Sequence, residues 1–417
     1  MRTVPVALAL LLVFACEPSD TSTPPNHDAT PSGDVAGDGD GPDAASGDAE
    51  GGEDVAPPEP PAPSASLETA LTPVGLDALL PVLGGDHLAW YTVAPVAPAK
   101  AEADTANPAD PAPPEIDCLA CVGCGGCEWR LMLRHLGTGE ETVVATETYL
   151  QSAPRIGDGN LVRVRNDGWV EVLDLATGAS TQRAPPDNHW FSVTPVPFEG
   201  ALWWYGYSYQ HGRNGVLRLE VDSGKLDLVL DGYLYESWTQ PGGLGGLGRG
   251  QPFSIGGAGI VWVDYSGATS LVKGWDPVNE EALPTLSDPD RDFLAAVSTD
   301  HGVVTKSYMR QLGCSEALCA PELRLHVDGA TRTLTDGGKP SLYGRPVAAG
   351  NRLFWFDYRS GPYAIWSRRL DVADAAPERV TSDEALVGVS VPIAASSDQL
   401  VWADRRDGRW RLYTKAL

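Results

Sequence analysis

Short runs of apolar residues recur along most of the chain, and each run is followed by polar residues and a turn. The two clearest copies are NRLFWFDYRSGPYAIWSRRL from Asn351 and DQLVWADRRDGRWRLYTKAL from Asp398. Both fit the pattern L-x-W-x-D-x-R-x-G-x3-[IL]-[WY], and in a strand every second residue shares one side. The pattern predicts a repeated unit made of two strands joined by a turn.

Five weaker copies of this unit precede the two clear ones. Successive anchor residues, equivalent to Leu353 and Leu400, are 41 to 73 residues apart. A tryptophan stands two positions after the anchor in five units, whereas Arg163 and Thr305 replace it in the other two. The weaker anchors are Leu88, Leu161, Leu202, Ile260 and Val303.

Proline and glycine residues divide each unit further. In six units a proline precedes the anchor by seven or eight residues, and proline is tolerated at the first position of a strand. Pairs such as Thr138-Gly139 and Asp328-Gly329 indicate hairpins later in the units. Four short strands in each unit of about 40 to 50 residues are typical of a β-propeller blade. The six prolines are Pro81, Pro154, Pro195, Pro252, Pro346 and Pro392.

The ends of the repeat region indicate how the ring closes. The last unit supplies one strand fewer than the others, while the segment from Leu67 to Val74 is left over at the other end. An open ring would expose unpaired strand edges, so we expect this segment to be the outer strand of the last blade. The fold prediction is therefore an all-β, seven-bladed β-propeller of four-stranded antiparallel blades, closed by the N-terminal strand.

The two clear units resemble the TolB-like β-propeller family and related surface propellers, in which Trp-x-Asp-x-Arg-x-Gly recurs in each blade. The resemblance covers residues 67–417 as architecture, although only two units carry the full motif. It implies a structural motif in which Trp355 fills space between blades and Asp357 pairs with Arg359. A role of Asp357 or Asp404 as a catalytic acid or base is the alternative.

The N-terminus predicts export. Residues 1–16, MRTVPVALALLLVFAC, carry one positive charge and an apolar run that is too short to span a bilayer. This segment resembles a bacterial lipoprotein signal peptide, which implies lipidation of Cys16 and a position at the outer membrane or cell surface of a bacterium. A plain secretory signal is the alternative. Residues 17–66 hold twelve Asp or Glu and no Lys or Arg, which predicts a disordered, self-repelling tether.

Charge also limits the class of partner. The whole chain has a formal net charge of -26. An acidic surface repels phosphate backbones, so nucleic-acid binding is not expected. We expect a monomer that contacts the membrane through its lipid anchor.

The other six cysteines fall into two loops. The first loop, an insertion at 92–127 in the first blade, ends in a C-x2-C-x2-C-x2-C run, and a C-x4-C pair follows in the fifth unit. An even number of cysteines in an exported chain predicts disulfides, but the sequence leaves open the three pairings within the run. A zinc or iron–sulfur site and a redox-active dithiol are the alternatives. The six are Cys118, Cys121, Cys124, Cys127, Cys314 and Cys319.

The third unit has the best candidate binding residues. Aromatic rings with nearby hydrogen-bonding groups suit sugars or peptides. Packing between blades is the competing explanation. The candidates are His189, Trp190, Tyr207, Tyr209, His211, Arg213, Tyr235, Glu236 and Trp238.

These features favour a non-catalytic, membrane-anchored propeller that binds or scaffolds a protein or a carbohydrate, without a metal or another cofactor. The alternative is an extracellular enzyme that acts on carbohydrate or peptide, with a carboxylate pair or a metal at the mouth of the channel. An electron carrier that uses the cysteine run is a third class.

Overall fold

Seven four-stranded antiparallel sheets form the repeat region, which confirms the predicted seven-bladed propeller. The structure is a computed structural model. It describes residues 68–96, 118, 127–150, 152–184, 194–208, 211–231, 252–265, 269–310, 321–335, 339–341, 344–359, 362–388 and 392–417. These residues form strands and turns, and none of them belongs to a helix long and apolar enough to cross a membrane.

The first three blades follow one another along the chain. Blade 1 consists of β2 (Asp77–Gly84), β3 (His87–Pro95), β4 (Cys127–His135) and β5 (Glu141–Glu147). Blade 2 consists of β6 (Arg155–Gly157), β7 (Asn160–Val164), β8 (Val170–Asp174) and β9 (Ser180–Arg183). Blade 3 consists of β10 (Val196–Phe198), β11 (Ala201–Ser208), β12 (Arg213–Glu220) and β13 (Leu226–Asp231).

The next three blades have the same order of strands. Blade 4 consists of β14 (Phe253–Gly256), β15 (Gly259–Asp264), β16 (Leu271–Asp276) and β17 (Glu281–Leu286). Blade 5 consists of β18 (Arg291–Thr299), β19 (Gly302–Met309), β20 (Glu322–Val327) and β21 (Ala330–Thr333). Blade 6 consists of β22 (Val347–Ala349), β23 (Arg352–Asp357), β24 (Ala364–Arg369) and β25 (Glu378–Arg379).

Blade 7 joins the two ends of the propeller. Its strands are β26 (Ala394–Ala395), β27 (Gln399–Asp404), β28 (Arg411–Ala416) and, from the other end of the chain, β1 (Thr69–Ala70). Thr69 lies opposite Thr414, and the amide of Leu71 donates to Leu412 O at 2.8 Å. The predicted closure by the N-terminal segment is therefore confirmed.

Side chains beside β1 strengthen this closure. Arg406 Nη1 donates to Glu68 Oε2 at 2.6 Å, and Ser382 Oγ donates to the same oxygen at 2.9 Å. Arg411 Nη2 donates to Thr72 O at 2.7 Å. The N-terminal segment thus bonds to blade 7 and, through Ser382, to the chain that arrives from blade 6.

The hydrophobic core is divided among the spaces between neighbouring blades. Trp355 and Trp402 are almost fully buried, each in a cluster that includes residues of the preceding blade. The two units without this tryptophan use polar pairs at the same position. Arg163 forms ion pairs with Glu147 of blade 1 and with Glu171, and Thr305 Oγ1 lies 2.9 Å from His326 Nε2.

Proline marks the start of the inner strands, with one correction. In blades 2, 3, 4 and 6 the proline comes directly before the first strand, and in blade 7 it stands two residues before it. Pro81 lies inside β2, at a bulge between Leu79 and Val82 where Leu80 has a φ of 57°. A bulge leaves a residue outside the ladder, which explains why a proline is tolerated there.

The up-and-down strand order gives the propeller two different faces. The tight hairpins between first and second strands, and between third and fourth strands, share one face, called here the lower face. The connections between second and third strands, and those between blades, share the opposite or upper face. Six of these upper-face connections are long and separate β3 from β4, β9 from β10, β13 from β14, β19 from β20, β21 from β22, and β25 from β26. Among the described residues, the candidates Tyr207, His211 and Arg213 and the cysteines Cys118 and Cys127 belong to upper-face strand ends and connections.

Candidate functional site

The motif carboxylate in blade 6 is a structural group. Asp357 is fully buried and accepts hydrogen bonds from Trp355 Nε1 at 3.1 Å and from the Arg359 backbone amide at 2.8 Å. Arg359 Nη2 adds a bond of 2.7 Å, and the Lys339 amide adds one of 3.1 Å. Burial raises the pKa of Asp357, but the donors of Arg359 and Trp355 outweigh burial and hold the pKa below its usual range. The predicted pairing of Asp357 with Arg359 is confirmed.

Blade 7 repeats this arrangement. Asp404 is fully buried and accepts from the Leu386 and Arg406 amides, both at 2.9 Å, and from the Arg406 guanidinium. Leu386, like Lys339 in blade 6, belongs to the connection from the preceding blade. Each carboxylate therefore fixes an arriving connection to its own blade. Two carboxylates that are buried and used in this way are poorly placed to exchange protons with a substrate.

Replacing Asp357 with Ala should lower the free energy of unfolding by about 3 kcal/mol, because it leaves Arg359 and two amides without their acceptor. Urea titrations of the two proteins measure this difference. The control is Asp374→Ala, which removes an exposed carboxylate from the same blade. An equal, small effect of both substitutions would contradict the structural role of the motif.

The hairpin of blade 3 brings together three of the predicted binding residues at the upper face. Tyr207 and Arg213 lie near the ends of β11 and β12, and His211 lies in the turn between them. Ser208 Oγ lies 2.9 Å from His211 Nδ1, and Arg213 pairs with Asp231 of β13. The other six candidates lie outside the described residues, namely His189, Trp190, Tyr209, Tyr235, Glu236 and Trp238.

One disulfide is present among the described cysteines. Cys118 bonds to Cys127, with Cα atoms 5.8 Å apart, and both residues are buried. This bond rules out the two pairings of the run that join Cys118 to Cys121 or to Cys124. Two cysteines in a disulfide are not thiolate ligands, so the bond also contradicts a metal site that uses all four cysteines of the run. Cys121, Cys124, Cys314 and Cys319 lie outside the described residues, as does Cys16.

Arg345 extends across the upper inner end of the propeller and acts electrostatically on two other cations, Arg155 and Lys306. Arg155 is the first residue of β6 in blade 2, and Arg345 stands two residues before β22 in blade 6. Arg345 Nη1 donates to Phe253 O of blade 4 at 3.4 Å. Lys306 of blade 5 donates from Nζ to Gly344 O at 3.0 Å. Since blades 2, 4 and 6 are not neighbours, their residues approach one another only across the channel.

The electrostatics of the three cations agree with this placement. Burial, together with the charge of Arg345, lowers the pKa of Arg155 to about 10 and that of Lys306 to about 7. Lys306 is only 3% exposed, while Arg345 is exposed and Arg155 retains partial contact with solvent. We call Arg155, Lys306 and Arg345 the channel cations. They form a concentration of positive charge in a strongly acidic chain.

Sequence reasoning missed the channel cations, although the repeat contains a signal for two of them. Lys306 stands three positions after its anchor, where the other six units have an apolar or aromatic residue. Arg155 follows the blade-start proline, where the other five units with that proline also have an apolar residue. The residues equivalent to Lys306 are Tyr91, Val164, Tyr205, Val263, Phe356 and Ala403. The residues equivalent to Arg155 are Val82, Val196, Phe253, Val347 and Ile393.

A second concave feature lies on the lower face, between blades 4 and 5. This cleft has a volume of about 660 Å³ and apolar walls that include Val272 and Leu283. His326 lines it, with ring nitrogens 2.9 Å from Thr305 Oγ1 and 3.1 Å from Thr331 Oγ1. Burial lowers the pKa of His326, which favours a neutral ring at pH 7.

No protein-family model and no curated protein matches the chain. Solved β-propellers are similar to it at low identity. The propeller domain of the Trilobed protease from Pyrococcus furiosus is 12% identical, with a TM-score of 0.49 over 82% of this chain and 93% of that one. An oligogalacturonate lyase from Vibrio parahaemolyticus is 8% identical, with a TM-score of 0.49 over 85% and 94% of the two chains. TolB from Acinetobacter baumannii is 12% identical, with a TM-score of 0.32 over 70% and 77%. These propellers come from enzymes and from TolB, so they do not settle the function.

Proposed function

We propose that the chain is an exported, lipid-anchored, non-catalytic β-propeller that binds a protein or carbohydrate ligand on its upper face. The supporting observation is the contrast between the two faces. The lower face is built from short hairpins, whereas long connections leave the upper face at six places, and the Cys118–Cys127 disulfide fixes one point of the longest of them to the start of β4. Loops on a rigid scaffold are where binding residues concentrate.

The chemistry at the channel mouth supports binding over hydrolysis. The predicted enzyme alternative needs a carboxylate pair or a metal at this position. The described residues at the mouth instead include Arg155 and Arg345. The two motif carboxylates, Asp357 and Asp404, are used within their own blades.

A glycan and peptide array tests the binding function. The probe is the full mature chain with Cys16→Ala, which is soluble if Cys16 carries the lipid. We expect specific spots that are lost when Tyr207 and His211 are both replaced with Ala, and that persist when Lys225, a lower-face residue, is replaced with Gln. Turnover of any array ligand during the incubation, measured by mass spectrometry, would favour the enzyme alternative instead.

The anchor has its own test. In cells that make the chain, the Cys16→Ala variant should leave the membrane fraction and remain folded, because one acylated residue provides the attachment. Mass spectrometry should find the lipid on Cys16. A mature N-terminus elsewhere, without a lipid, would contradict the anchor.

A further inference from the structure

We propose that the channel cations Arg155, Lys306 and Arg345 form a binding site for an oxoanion, a carboxylate or a phosphate group, at the upper mouth of the central channel. The proposal deepens the binding function proposed above and rests on it, because it names the chemical group that the ligand presents. The site lies beside the upper-face loops and is separate from the blade 3 hairpin.

The three residues belong to blades 2, 5 and 6 and are far apart in sequence, yet the charge of Arg345 acts on both of the others. The Arg345 side chain bonds to Phe253 O of blade 4, so it extends past the inner edge of blade 5, where Lys306 bonds to the carbonyl next to Arg345. Guanidinium groups donate in a fork that fits planar oxoanions, and an ammonium adds a point charge.

The arrangement of these three cations has an electrostatic cost. Like charges repel, and burial of a lysine disfavours its charged form. Arg345 lowers the pKa of both other cations, so the repulsion among the three disfavours their charged forms. A bound anion would reverse this penalty, because it replaces repulsion among the cations with attraction to one shared group.

Two of the three cations depart from the pattern of the repeat. In the other blades, apolar or aromatic residues occupy the positions equivalent to Arg155 and Lys306. Val196 is equivalent to Arg155, and Phe356 is equivalent to Lys306. Charged residues therefore stand at two positions where the other blades have apolar or aromatic residues, and Arg345 acts electrostatically on both. Departures from an otherwise consistent pattern are expected at functional sites.

Titration calorimetry with inorganic phosphate and with acetate, at low ionic strength and pH 6.5, tests the site. The sample is the full mature chain with Cys16→Ala. We expect saturable binding of at least one anion at one site per chain, which weakens as sodium chloride is added. The stronger of the two anions identifies the group, phosphate or carboxylate.

Variants then locate the site. Arg155→Gln and Arg345→Gln should each weaken anion binding about tenfold or more, because each removes a charge-assisted donor. The matched control is Arg369→Gln, which removes an exposed arginine that pairs with Asp371 at the lower end of β24. Circular dichroism spectra should show that all three variants are folded.

The outcomes separate this proposal from the binding function. If neither anion binds, or if Arg155→Gln and Arg369→Gln have equal effects, the oxoanion site is wrong. If array ligands bind the chain with unchanged affinity in Arg155→Gln and Arg345→Gln, the binding function stands and the oxoanion site is not part of it. If the anion binds as expected but no array ligand does, the oxoanion site stands and the proposed protein or carbohydrate ligand is wrong.

Discussion

A chain that begins at Asp77 should lose at least about 5 kcal/mol of its free energy of unfolding and should aggregate on heating. This truncation removes β1 and Glu68. It leaves the edge of β28 unpaired, and exposed strand edges pair with other chains. It also removes Glu68, an acceptor of Arg406 Nη1, and because Arg406 keeps its pair with Asp404 this loss costs about 1.5 to 3 kcal/mol. Chemical denaturation and light scattering measure the two effects.

A chain that begins at Ser66 is the matched control, because it retains β1 and loses only the acidic N-terminal region. Its unfolding should be close to that of the full mature chain. Glu68→Gln separates the two contributions, since it retains the β1 ladder and removes the carboxylate charge beside Arg406. Equal unfolding midpoints for the chains that begin at Asp77 and at Ser66 would contradict the closure of blade 7 by β1.

The seven-bladed fold and its closure could be predicted from the sequence for a physical reason. Each blade has to bury both faces of a small twisted sheet against its neighbours, so the same apolar and turn positions recur in every unit. The recurrence reveals the number of blades and the strand that is missing from the last one. The two units in which Arg163 and Thr305 replace the tryptophan could still be recognised, because the pattern of strands around these residues is the same.

The channel cations could not be predicted as a group from the sequence. A sequence repeat shows equivalent positions within each blade, whereas the channel is lined by residues of all the blades. Arg155 and Arg345 are 190 residues apart in the chain. Only the closed ring places blades 2 and 6 on facing sides of the channel. The departures at Arg155 and Lys306 were visible in the sequence, but their convergence was not.

The disulfides of the cysteine run could be predicted only in part. Its spacing predicted disulfides but left the pairing open, since all three pairings join residues that are close in sequence. The structure pairs Cys118 with Cys127, the two ends of the run. Cys127 is the first residue of β4, so its position is set by the ladder with β3, in which it lies opposite Pro95. That register depends on the length of the preceding insertion, which a local pattern does not determine.

The buried lysine connects stability with the proposed site. Lys306 replaces a residue type that packs well in six other blades, and its charged form is disfavoured by burial and by Arg345. Functional sites commonly retain residues that reduce the stability of the fold. The reduction should therefore be measurable in the protein without a ligand.

Replacing Lys306 with Met should stabilise the propeller by about 3 kcal/mol at pH 6, and this gain should nearly disappear by pH 10.5. Burial and the charge of Arg345 lower the pKa of Lys306 to about 7 in the folded chain, well below the usual 10.5 of a lysine. Below pH 7 the lysine is charged in both states, so the folded state bears the full penalty. Between pH 7 and 10.5 only the unfolded state holds the proton, so the stability of the unsubstituted protein rises with pH. Urea titrations from pH 6 to 10.5 measure the difference.

The charged group that acts on Lys306 among the described residues is Arg345, which stays protonated over this whole pH range, so the change in the difference reports Lys306 itself. The control is Lys225→Met, which replaces an exposed lysine in the hairpin between β12 and β13, where Asp227 lies 2.9 Å from its Nζ. This control should give a small difference with little dependence on pH between 6 and 9. Added anion should reduce the advantage of Lys306→Met at pH 6, because it binds more tightly to the protein that retains the lysine and therefore stabilises that protein more. If the stabilisation by Lys306→Met were the same at every pH, Lys306 would not be buried in its charged form. The energetic support for the oxoanion site would then be lost.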